Sequence, residues 1–153
     1  MRGSRDRTRF GFWGAIIFGV SMFLGGCAPT IHYSYDPVAD FSSVKNYGWV
    51  QGSSASRQEP LIEKDVRYYA DKILKDKGFT PTADKPDLVI SMNYSTEYED
   101  AYKLRLLTLY VYRTPGRELI WQGTADGAIK ADAASPDLAD AVKNILMNFP
   151  PKR

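Results

Sequence analysis

The sequence predicts an α+β domain: a four- or five-stranded mixed sheet, largely antiparallel, with two helices packed on one face, in the order (β)-β-α-β-β-β-α. Three observations predict it. Residues 61–77 and 138–149 place apolar side chains at helical spacing, residues 88–129 hold three stretches of period-two alternation, and the passages between these segments are marked by Pro, Gly, Ser or Asp. One helix alone cannot bury a sheet face of four or five strands, so the economical arrangement sets both helices side by side on the same face.

Ahead of the domain stands a different kind of segment. Arg2, Arg5, Arg7 and Arg9 form a basic region against a single Asp6, and Phe10 to Gly26 then run without a charge. That layout is a secretory signal peptide. The uncharged run has 17 positions, at the short edge of the roughly 20 apolar residues a membrane-spanning helix needs. Its end decides the matter, because Leu24-Gly25-Gly26-Cys27 resembles a bacterial lipobox. The small residues admit the signal peptidase, and Cys27 accepts the lipid. A lone Cys in this chain can form no internal disulfide, and lipidation gives it a use. Residues 1–26 are thus read as a signal peptide that is removed, 27–40 as the lipidated N-terminus and tether, and 41–153 as a single α+β domain.

Each buried acyl CH₂ contributes roughly 0.8 kcal/mol, so one chain binds marginally and two or more hold firmly. Lipoproteins of the type Cys27 resembles carry a diacylglycerol and an N-acyl chain, which makes the membrane a permanent partner. In Gram-negative lipoproteins an Asp after the Cys is the retention signal for the inner membrane. Ala28 in that place points to the outer membrane, facing the periplasm. The basic region has no Arg-Arg pair, which disfavours export of a folded protein loaded with a redox cofactor. No cofactor is expected beyond the covalent lipid.

The full chain has 20 basic and 18 acidic residues, and residues 1–26 hold four of the former and one of the latter, which leaves 16 against 17. The mature chain is nearly neutral. The basic balance belongs to the signal peptide, and with it goes any compositional argument for nucleic acid as a partner. About 127 residues remain (153 less 26), enough for one domain with its own core.

Taken in order, Ile31, Tyr33 and Tyr35 alternate with His32 and Ser34, as an edge strand before the Asp36-Pro37 turn should. Val44–Val50 is the next strand, with Tyr47 and Trp49 on one face. Gln51 to Pro60 is a loop. Leu61–Lys77 then has Ile62, Val66, Tyr69, Ala70, Ile73 and Leu74 along one stripe. Pro60 opens this helix, and Gly78 fits the left-handed position after its end, with Phe79 folding back.

Leu88, Ile90, Met92 and Tyr94 alternate with Val89, Ser91, Asn93 and Ser95 in the third strand, as a half-buried strand should. Glu97–Asp100 is an acidic turn. The strand from Ala101 to Tyr112 is apolar on both faces, which marks it as central without saying which face is core. Thr114-Pro115-Gly116-Arg117 connects it to Glu118–Ile129, with Leu119, Trp121, Gly123 and Ala125 on one side. Trp49 and Trp121 are placed under the helices. Ser135-Pro136-Asp137 reads as the start of the last helix, with Ser as N-cap and Pro at the first helical position. Pro150-Pro151 is its stop. If the return strand after the first helix is parallel to the Tyr47 strand, the crossover between them is right-handed.

Several stretches, in this order, resemble the family of bacterial lipoproteins known as domain of unknown function 4136: Tyr35-Asp36-Pro37 with Asp40-Phe41-Ser42, Tyr47-Gly48-Trp49, Lys77-Gly78-Phe79, Asp87-Leu88, Leu119-Ile120-Trp121-Gln122-Gly123, and Ala141-Val142 with Phe149-Pro150-Pro151. The likeness spans nearly the whole mature chain. Gly48 and Gln122 stand where the family pattern has Ala and Arg. The resemblance implies a fold and a location and assigns no catalytic, ligand or metal residue.

The residues themselves assign none either. The mature chain has one His, no second Cys, and no zinc-type, phosphate-loop or nucleophile-elbow spacing. A Ser-His hydrolase would need His32, in the tether region, so the chain is read as no enzyme. Glu97, Glu99 and Asp100 could face a hard cation but lack the Gly and the oxygen ladder of a calcium loop, and are read as a solvated turn. Tyr94, Tyr98, Tyr102, Tyr110 and Tyr112 are the candidate partner surface, since tyrosine offers rigid apolar area with a polar tip. The expectation is a lipid-anchored, non-enzymatic envelope domain that binds a partner, an envelope protein. The alternative is a carrier of a small ligand or lipid, which needs an apolar pocket between sheet and helices.

Overall fold

A computed structural model of the chain describes residues 28–50 and 60–151. It holds six strands and two helices: β1 (Thr30–Tyr35), β2 (Asn46–Trp49), α1 (Pro60–Asp76), β3 (Thr80–Pro81), β4 (Leu88–Glu97), β5 (Asp100–Arg113), β6 (Glu118–Lys130) and α2 (Asp137–Leu146). All six strands join one sheet in the order β1-β6-β5-β4-β2-β3. The run β4-β5-β6-β1 is antiparallel, whereas β2 lies parallel to both β4 and β3. The α+β class and the mostly antiparallel sheet are as the periodicities predict, with one strand more. That strand is β3, whose two residues are too short to show a period.

β1 pairs with β6 along its full length, from Thr30 opposite Asp126 to Tyr35 opposite Trp121. The sheet therefore starts inside the stretch assigned to the tether. Among the described residues no helix is long and apolar enough to cross a membrane.

Both helix boundaries have a local cause. At the end of α1 the Phe79 amide donates to the Leu74 carbonyl at 2.9 Å and the Gly78 amide to Lys75 at 2.9 Å, with Gly78 at φ +90°. This closing motif caps the orphan carbonyls and folds Phe79 onto the core. The start of α2 falls one residue later than the sequence suggests. Pro136 is the N-cap, its carbonyl accepting from the Asp140 amide at 2.9 Å, while the Ser135 hydroxyl accepts from the Asp137 amide at 3.2 Å. The helix also ends at Leu146, short of the prolines, so that Phe149 can turn back into the core.

The two helices cover one face of the sheet. Ile62, Val66, Ala70 and Leu74 of α1 and Leu138, Ala141, Val142 and Ile145 of α2 are all buried. Phe149 ties the layers together, its ring centroid 5.2 Å from Trp121, 5.5 Å from Phe79 and 6.0 Å from Phe41.

The ambiguity of β5 is settled by an irregularity in its pairing with β4. Ser95 opposes Leu106 and Thr96 opposes Leu104, so Arg105 is an extra residue against β4. The bulge lets Leu104 and Leu107, three apart in sequence, both be buried with Leu109 and Val111. In β6, Val111 opposes Trp121 and Tyr112 opposes Leu119, which leaves Ile120 extra. Ile120 and Trp121, adjacent in sequence, are consequently both buried.

A β-carbon on Gly123 would sit 2.3 Å from the Trp121 ring and 2.8 Å from Ile145 of α2. Only glycine leaves room for the indole beneath the helix. Gly123→Ala is expected to destabilise the fold by about 1–3 kcal/mol, as over-packing does, read as a lowered denaturant midpoint; an unchanged midpoint would contradict the close approach. Leu74→Asp, which puts an unpaired charge between α1 and the sheet, is expected to abolish cooperative thermal unfolding.

Candidate functional site

The five candidate tyrosines do not form one surface. Tyr94 is 7% exposed on the helix-covered face of β4. Its parity with Leu88, Ile90 and Met92 already puts it there. Tyr98 is fully exposed at the β4–β5 turn, and Tyr102 is 51% exposed just beyond it. Tyr110 and Tyr112 lie together on the open face of the sheet, half-buried, with ring centroids 6.4 Å apart. Leu24, Gly25, Gly26 and Cys27 lie outside the described residues.

The open face is ordered by the register into rows. Ser34, Gln122, Tyr110 and Ser91 form one, and His32, Thr124, Thr108 and Asn93 the next. Within the second row the Thr108 and Thr124 hydroxyls are 3.0 Å apart and share a hydrogen bond. Toward the far end Leu119, Tyr112 and Val89 stand in line, with Leu119 45% exposed. The face thus has hydroxyl and amide groups at its middle and apolar side chains at one end. His32, the only histidine, is exposed on it.

At the acidic turn, Glu97 is met by Arg105 and by Lys103 at 3.8 Å, and Asp100 by Lys103 at 3.6 Å. These exposed pairs are worth about 0–1 kcal/mol each. They compensate the turn's charge with the chain's own cations.

The best-connected polar cluster among the described residues joins β2 to α1. The Tyr47 hydroxyl and the Trp49 indole N–H both donate to the same Asp71 Oδ1, at 2.7 and 2.8 Å. Arg67, one turn earlier on α1, lies over the Trp49 ring at 5.5 Å and donates to the Val50 carbonyl at 3.1 Å. The signal for it was the pair of polar-tipped aromatics on one face of β2, which requires an acceptor from whatever covers that face. An open groove of about 400 Å³ runs beside it, lined by Tyr47, Trp49, Arg67, Pro81 and Pro86 among others. Another of about 500 Å³ lies along α1 past Glu63, Lys64, Tyr68 and Asp71. The region between sheet and helices, where a carrier would hold its ligand, is occupied by Trp121, Phe149 and Phe79.

Burial, then the hydrogen bond to Asp71 and its negative charge, push the Tyr47 phenol well above its ordinary value of 10.0. Asp71 is held as an acceptor by two neutral donors. The arrangement fastens a strand to a helix.

The molecule is a two-layer α+β protein, with helices on one face of the sheet and a polar, tyrosine-bearing surface on the other. The family model described as "Domain of unknown function (DUF4136)" matches residues 31–151, and the chain belongs to that family. No curated protein matches it. Among solved structures it is similar to a DUF4136 family protein from Bacteroides thetaiotaomicron, at 14% identity and TM-score 0.60, over 80% of this chain and 96% of that one. It is similar also to a PDZ domain protein from Parabacteroides distasonis, at 14% identity and TM-score 0.60 over 82% of this chain, although it spans only 36% of that protein. A PelC dodecamer from Paraburkholderia phytofirmans is 12% identical with TM-score 0.58, over 81% of this chain and 98% of that one. At such identities the likeness shows the fold.

The Tyr47–Asp71 cluster makes a stability prediction. The raised phenol keeps its proton in the folded state while the unfolded phenol loses it above pH about 10. The contribution is full below that pH and lost as pH rises beyond it. Tyr47→Phe is therefore expected to flatten the alkaline decline in stability by about one proton's worth of slope, measured by denaturant titration between pH 8 and 11. An unaltered slope would contradict the arrangement.

Proposed function

We propose that the protein is a lipid-anchored cell-envelope lipoprotein whose domain is a non-enzymatic binding module. One observation carries the reading: the first described strand begins at Thr30, three residues after the lipobox Cys27, on a sheet that has helices on one face only among the described residues. Two or more acyl chains on Cys27 hold the chain at the bilayer, and so short a connection keeps the domain at the membrane surface. The anchor leaves the opposite face of the sheet, with Tyr110, Tyr112 and Leu119, available to an envelope partner. Ala28 after the Cys supports the outer membrane, facing the periplasm, as its place.

The hydroxyl and amide rows beside the tyrosines suit a surface that is wet when free and hydrogen-bonded when docked. Tyrosines are the residue type that carries such contacts, through rigid area at low entropic cost. The PelC structures with this fold are dodecamers, which supports copies of the chain itself as one class of partner.

Cys27→Ser is expected to leave the chain as an unprocessed precursor or move it from the membrane pellet to the soluble fraction, with incorporation of labelled fatty acid lost. Acyl labelling that survives the substitution would overturn the lipoprotein reading.

A further inference from the structure

The two edges of the sheet are protected very differently. One edge, β3, is two residues long and contains Pro81, which has no amide to offer. The other, β1, reads Thr-Ile-His-Tyr-Ser-Tyr and carries no Lys, Arg, Asp, Glu, Gly or Pro. Among the described residues it pairs only with β6. An edge of this length without a charge or a proline is a template for another strand.

The direction of its free groups follows from one bond. The Asp36 amide donates to the Ile120 carbonyl of β6 at 3.0 Å. Along an antiparallel strand every second residue aims both its N–H and its C=O at the same neighbour. Thr30, His32 and Ser34 therefore face β6, and Ile31, Tyr33 and Tyr35 turn their backbone groups outward. Tyr33 and Tyr35 are 50% and 42% exposed.

We propose that β1 pairs with β1 of a second copy of this chain, antiparallel about a two-fold axis at Tyr33, so that the two sheets become one. In this register Tyr33 opposes the second copy's Tyr33, and Ile31 opposes the second copy's Tyr35, twice. All three outward residues of each strand exchange both their bonds, and apolar or aromatic side chains meet on the helix side. His32 meets the second copy's Ser34 on the open side. No like charges oppose one another.

The flanking residues select this register over its neighbours. Pro29 and Pro37 stand symmetrically, four residues either side of Tyr33. A slip of two residues in one direction sets Tyr35 opposite the second copy's Pro29, and in the other direction sets Ile31 opposite the second copy's Pro37. Either slip loses an outward pair, because proline has no N–H to give. The pairing is isologous and closes at two copies, since each copy has one such edge. It rests on the reading of the domain as a binding module and names a partner for it. An anchor at Cys27 would favour it by confining the copies to one surface.

The test uses the full chain in its native membranes, expressed as two differently tagged copies, one with His32→Cys and one with Ser34→Cys. These positions form a non-hydrogen-bonded pair, with Cα atoms about 4.5 Å apart, inside disulfide range. Mild oxidation is expected to yield a disulfide-linked species carrying both tags, at several-fold the yield from two Ser34→Cys copies. Tyr33→Pro in both chains removes an outward amide along with the phenol and spares the β1 amides that bond to β6, so it is expected to abolish the crosslink while leaving the far-ultraviolet circular dichroism unchanged. Equal yield from the Ser34→Cys control, or a crosslink that persists with Pro at position 33, would overturn the pairing. Crosslinking of a chain found in the soluble fraction would support the pairing and count against the anchor. A membrane-bound chain that gives no crosslink would do the reverse.

Discussion

Trp121 and Phe149 meet edge to face at 5.2 Å between the sheet and the helices, and much of the architecture serves that contact. The indole fits because position 123 is glycine, and it points inward beside Ile120 because β6 carries an extra residue there. Phe149 reaches it because α2 stops at Leu146 and the chain turns back before Pro150. Phe79, delivered by the left-handed Gly78 at the end of α1, packs on the same ring. The aromatic cluster thus links both helix ends to the centre of the sheet. Among the described residues the indole N–H has no hydrogen-bond partner, and a buried donor left so costs about 1–3 kcal/mol. The surrounding apolar burial offsets it.

Much of this fold was legible because periodicity reports burial directly. The α1 stripe, its Gly78 terminus and the alternation of Leu88, Ile90, Met92 and Tyr94 all translate into the observed elements. What stayed hidden depends on partners distant in sequence. Nothing local says that Arg105 is an extra residue against β4, yet that bulge decides which face of β5 is core. β3 exists only because β2 lies beside it. The boundary of α2 shifted because the Pro136 carbonyl, and not the Ser135 carbonyl, accepts the first helical bond.

The candidate surface was partly legible for the same reason. Grouping five tyrosines by proximity in sequence ignored the two-residue period, which separates Tyr94 from Tyr110 and Tyr112 on opposite faces. Counting parity from the neighbouring apolar residues assigns Tyr94 to the core. The Asp71 cluster was missed because its members are 22 and 24 residues apart in sequence. Its existence follows from a general demand: a phenol and an indole N–H on the covered face of β2 need an acceptor, and only α1 can supply one.

The proposed function rests on how the domain would be held at a membrane. The first described strand begins three residues after Cys27, which would keep the domain close to the proposed anchor, with a hydroxyl-rich face and an uncharged edge strand open to the proposed partners. The most direct test of that account is mass spectrometry of the N-terminal peptide of the protein purified from membranes. The account predicts a peptide that begins at Cys27 and carries both a diacylglycerol and an N-acyl chain. A peptide that retains residues before Cys27, or one with an unmodified Cys27, would contradict it.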